Sequence, residues 1–134
     1  MKNINYEAML HMAWDHIHYY HINKSDEWMM NRVLIGEHNE HTGEFEKVNK
    51  SSSFYGYEGT IRQFLLLSLI EMDAKIRHFA SEERRDYARF RLPIPKEIIE
   101  ASIFDGLNWD ECTEALFVFS KGNGEVYLST VYPV

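Results

Sequence analysis

Near the C-terminal end, two runs rich in Val, Phe, Leu and Tyr, Glu114 to Ser120 and Glu125 to Tyr132, flank Lys121-Gly122-Asn123-Gly124. Asn-Gly between β-forming runs is a strong short-range hairpin signal, because both residues tolerate the positive φ that a tight turn requires. The second run alternates Val126, Leu128 and Thr130 against Tyr127, Ser129 and Val131, so one sheet face is expected to be partly wet. Such a chain is not all-helical, and the remaining segments have to be fitted around this sheet.

Helical periodicity supplies the other layer. From Asn5 to about His21, Tyr6, Met9, Leu10, Ala13, Ile17 and Tyr20 recur at steps of three and four, which puts them on one side of an amphipathic helix capped by Asn3 or Asn5. Thr60-Ile61-Arg62-Gln63 reads as a capping box. After it, Ile61, Phe64, Leu65, Ser68, Leu69, Met72, Ile76 and Phe79 predict a long central helix. A second, more polar helix is expected from Ser81 to about Arg91, stopped by Pro93 and Pro95, then a short one from Pro95 to Ile103, and a further helix cap at Asn108. Met30 to His38 and Glu44 to Val48, joined around Gly43, read as a first hairpin, with a helix from Asp26 to Ile35 as the competing assignment. Asn49 to Gly59, with Ser51-Ser52-Ser53, reads as a loop. The expected fold is therefore α+β: an antiparallel sheet of two β-hairpins packed on a long central helix, with an N-terminal amphipathic helix, in one domain over residues 1–134.

Composition narrows the function classes. The chain is 134 residues long with 45% hydrophobic and 14% aromatic residues, enough for one buried core. Its longest apolar run, Phe64 to Ile70, is far short of the roughly 20 residues a membrane span needs. The N-terminal stretch lacks the basic and apolar layout of a secretory signal, so a cytoplasmic location is expected. Cys112 is the single cysteine, and the acids Asp110, Glu111 and Glu114 around it raise a thiol's pKa and work against a nucleophile. Net charge is −7. Residues 1–74 carry 6 Lys/Arg against 11 Asp/Glu, residues 75–96 carry 7 against 3, and residues 97–134 carry 1 against 7. An acidic body repels nucleic acid phosphates and attracts a basic protein partner.

Three residue groups are candidates for function. Glu37, Glu40, Glu44 and Glu46 around the first hairpin, with Trp109, Asp110 and Glu111 ahead of the last, combine carboxylates that steer a basic partner with a ring that can anchor it. His11, Asp15 and His18 lie along one helix flank and, joined by His38 and His41, offer ligands for a metal ion. His11 and His18 are about 10 Å apart by helix rise, so one ion would need ligands from that loop. Lys75, Arg77, Arg84, Arg85, Arg89 and Arg91, interleaved with Phe79, Tyr87 and Phe90, are the candidate RNA-binding strip. No nucleotide-binding or zinc-protease spacing is present.

In size, acidity and lack of catalytic motifs the chain resembles bacterial immunity proteins, which neutralise a toxin domain, often a nuclease, by covering its substrate site. The likeness is one of character, and it assigns no binding residue. It implies a small non-catalytic inhibitor that masks a basic site on its partner, with no cofactor. A metal-dependent protein using the histidines and an RNA-binding module using residues 75–96 are the alternatives.

Overall fold

The computed structural model describes residues 3–38 and 42–134. Four helices are followed or interrupted by short strands: α1 (Tyr6–His21), α2 (Asp26–Leu34), β1 (Glu37–His38), β2 (Phe45–Glu46), β3 (Ser51–Tyr55), α3 (Glu58–Glu71), α4 (Asp73–Ser81), β4 (Tyr87–Pro93), β5 (Glu100–Phe104), β6 (Trp109–Glu111), β7 (Glu114–Gly122) and β8 (Glu125–Pro133). The strands form three antiparallel sheets among the described residues, ordered β1-β2, β3-β5-β6 and β4-β7-β8. The fold class is α+β.

Helix α1 forms as its sequence dictates. The Asn5 side chain accepts a hydrogen bond from the Ala8 N–H at 3.0 Å, and Met9, Leu10, Ala13, Ile17 and His21 make its buried face. That face lies on β8, α3 and β3. The C-terminal hairpin also follows the pattern: Gly122 pairs with Glu125, leaving Asn123 (φ +53) and Gly124 (φ +76) as the two turn residues. Ala115, Phe117 and Phe119 face the core, joined by Leu128 and Val131.

Elsewhere the expected arrangement is corrected. The segment read as a first hairpin is mostly α2, capped by the Ser25 hydroxyl on the Trp28 N–H at 3.1 Å, and only two residues per strand pair beyond it. The expected long central helix bends at Met72, where ψ opens to +8°, dividing it into α3 and α4. One turn earlier the Ser68 hydroxyl donates to the Phe64 carbonyl at 2.7 Å, a back-bond of the kind that bends helices. Thr60 lies inside α3 instead of capping it, since the helix starts at Glu58 with no side-chain cap.

Beyond Ser81, the last residue of α4, residues 82–91 are not a helix. From Tyr87 to Pro93 the chain is β4, with Ala88, Phe90 and Leu92 turned inward and Tyr87, Arg89 and Arg91 outward, a period of two that helix-favouring Glu and Arg at 82–85 conceal. Pro95 opens a turn closed by the Ile98 and Ile99 N–H groups on its carbonyl, and the expected short helix is strand β5. Asn108 caps no helix, because β6 follows it. Ser51 to Ser53 are not loop but buried strand, paired in register with Phe104, Ile103 and Ser102 of β5.

Two residues, Cys112 and Thr113, separate β6 from β7, so the chain passes directly from one three-stranded sheet to the other. Strand β3 lies against β8 where the two sheets meet, and the end of α1 sits over that junction through a parallel bridge between Ile22 and Phe54. No helix among the described residues is long and apolar enough to cross a membrane.

Candidate functional site

Polar side chains collect where α1 ends. His21 is 8% exposed, and its Nδ1 lies 2.9 Å from the Ser52 carbonyl. A carbonyl can only accept, so Nδ1 carries the proton and Nε2 keeps a free lone pair. Burial drives the His21 pKa down to about 3, helped by the charges of Arg32 and Lys24 and opposed by the Ser52 bond. At neutral pH this imidazole is therefore neutral.

Around it stand groups from three other elements. The Tyr132 ring of β8 is 5.5 Å from the His21 ring at 33°. The Arg32 guanidinium of α2 rests 4.2 Å from the Tyr20 ring centroid and 5.6 Å from that of Trp28, with Nε 3.9 Å from the Glu37 carboxylate. Tyr19 donates its hydroxyl to the same carboxylate. Lys24 lies 5.0 Å from both the Tyr19 and Trp28 rings. His16, one turn before Tyr20, has its pKa lowered by desolvation and then by the Arg32 charge.

Two hydroxyls in this region have no hydrogen-bond partner although their oxygens are buried: Ser51 on β3 and Thr130 on β8. Strand alternation puts Thr130 and Tyr132 on one face of β8. The register extends that face to Val118 and Arg89 in one row and to Leu116 and Arg91 in the next. An unsatisfied buried hydroxyl costs about 1–3 kcal/mol.

The sequence places His21 only as the end of the first helix and gives no direct sign of its partners or of a role for Arg32, Ser51, Thr130 or Tyr132. Their signal was indirect: the wet face of the last strand, and a serine triplet too polar to be read as buried.

The expected acidic residues are spread over two edges. Glu37 is turned toward Arg32 and Tyr19, which removes it from a freely exposed acidic surface, while Glu44 and Glu46 are exposed on and beside β2. Trp109 is 40% exposed with its ring 4.7 Å from Phe104, and Asp110 and Glu111 are exposed on β6. Glu40 and His41 lie outside the described residues.

Among the described residues, the proposed metal ligands do not converge. His18 pairs with Glu58 at 3.1 Å, His11 and Asp15 stay exposed on α1, and His38 lies 6.1 Å from Phe45 on β1. No group of three or more His, Cys, Asp or Glu suited to a metal ion occurs among the described residues.

The basic strip is divided. Lys75 and Arg85 lie with Phe79 and Phe90 on one side of β4, whereas Arg89 and Arg91 point to the other. Arg85 and Arg89 therefore share no helix face. Cys112 is buried, and burial followed by Asp110 and Glu111 pushes its thiol up to about 11, as expected for a poor nucleophile.

The fold and cluster define a small α+β domain with buried polar groups at a junction between two three-stranded sheets. No protein-family model and no curated protein matches the chain. Among solved structures, it is similar to a chain in the crystal structure of the CdiA-CT/CdiI complex from Y. kristensenii 33638, with a TM-score of 0.61 and 20% identity over 89% of this chain and 98% of that one. That likeness establishes a shared fold.

Proposed function

We propose that this chain is one member of a toxin–inhibitor pair and works by engaging a second protein. The fold shared with a chain of the CdiA-CT/CdiI complex carries this reading. The inhibitor role, an immunity-like protein masking a basic site on its toxin, is supported by the net charge of −7 and by exposed Glu44, Glu46, Trp109, Asp110 and Glu111, which would steer and anchor a cationic partner.

A toxin role is the second reading, and it rests on the buried His21 with the half-buried Arg32, Thr130 and Tyr132 around it.

Expression of the chain alone in bacterial cells separates the two roles. An inhibitor is harmless and protects against its toxin, whereas a toxin arrests growth and loses that effect in His21→Ala. A chain that neither harms nor protects, and that binds no protein encoded beside it, would remove the pair reading altogether.

A further inference from the structure

The β2 segment and the β5–β6 turn, some sixty positions apart in sequence, both lie near the end of α2. Gly36 packs against Phe45 and the Glu46 carbonyl, so β2 folds back onto that end. Gly106, in the turn between β5 and β6, sits against Val33, where an added Cβ would lie 3.5 Å from its methyl. The corner so formed exposes Ile35 (62%), Phe45 (67%) and Leu107 (89%), with Leu34 and Trp109 beside them. Single exposed apolar residues are ordinary, but several at one corner mark a contact surface.

The β5–β6 turn is built to hold Leu107 in water. Asp105 Oδ1 accepts from the Leu107 N–H at 2.9 Å and the Asn108 N–H at 2.7 Å, while the Asp105 N–H donates to the Asn108 carbonyl at 3.1 Å. Gly106 takes φ +99°, which an L side chain adopts only with strain. A leucine fixed at the tip of a braced turn loses little conformational freedom when it enters a partner's pocket. The rim is acidic: Glu44, Glu46, Asp105, Asp110 and Glu111 are exposed against Lys47 and Lys50.

We propose that this corner docks a basic protein through Leu107 and Phe45 as apolar anchors, with the carboxylates steering it. The inference rests on the pair reading above, but it holds for either role in the pair. It also replaces Glu37, whose carboxylate is committed to Arg32 and Tyr19, with residues that face outward.

The test uses the purified chain and the purified protein encoded beside it, with affinity measured at two salt concentrations. Leu107→Asp combined with Phe45→Asp is expected to weaken binding by about 100-fold or more, the scale of anchor residues. Leu67→Asp, on the exposed side of α3, is expected to leave it unchanged. Glu44→Gln with Asp110→Asn should slow association several-fold and reduce its salt dependence.

Binding that withstands the Leu107 and Phe45 replacements would overturn this surface and leave the pair reading intact. No binding at all would end both. Self-association of the chain that Leu107→Asp abolishes would give the corner to a second copy and overturn the proposal.

Discussion

The sheet of β4, β7 and β8 and the junction where α1 meets β3 both exclude water, but they fill their interiors differently. In the sheet, Phe117, Phe119, Ala115 and Val131 are fully buried, and the backbone pairs in ladders with one register shift between Val118 and Phe119. At the junction the buried residues include His21 and Ser51 to Ser53, each placed by a particular partner or left with none. Apolar burial is set by pattern and tolerates small rearrangements. Polar burial depends on single contacts, and a missing contact is informative because it carries a cost.

The largest expected effect tests the sheet. Phe117→Ala removes a fully buried ring from its central strand and should lower unfolding stability by about 3–5 kcal/mol, read by urea denaturation. A much smaller loss would mean that this side of the core collapses around the gap.

The next tests the junction through pH. An unfolded histidine takes up a proton below its ordinary value of 6.5, whereas folded His21 does so only near 3, so acid favours the unfolded state. Stability contributed by this group is full above pH 6.5 and falls as pH drops, by about 1.4 kcal/mol per unit across that window. Urea curves at pH 7 and pH 5 should converge for His21→Gln relative to the unmodified chain. An equal slope in both would place the imidazole in water.

A smaller loss, about 1 kcal/mol, is expected for Gly124→Ala, because φ is +76° there and no neighbouring atom restricts a Cβ. Thr130→Val should move stability least, leaving it level or slightly raised, since the hydroxyl it removes has no partner. If the chain is the toxin, the same change should abolish growth arrest. Growth arrest that survives it would detach Thr130 from the site, and a marked loss of stability would reveal a hydrogen bond that the hydroxyl makes in solution.

The same contrast explains what could be read from sequence. The last hairpin and α1 follow directly from an Asn-Gly turn and a regular apolar spacing. Strand β4 was concealed because Glu82, Glu83, Arg84 and Arg85 favour helix, and only pairing with β7 reveals the alternation after Tyr87. Strand β3 was concealed because three serines are common in loops. Their burial depends on β5, nearly fifty residues later. His21 was visible as a residue, but its role depends on the Ser52 carbonyl, Arg32 and Tyr132, which no local spacing connects.

The imidazole orientation at the end of α1 is held by a main-chain oxygen, so the residue at position 52 can change without disturbing it. Natural variation at position 52 would then be limited by the space around a buried side chain and by the backbone path, not by side-chain chemistry. Among related chains, the histidine would therefore be expected to persist opposite small residues of varied chemistry.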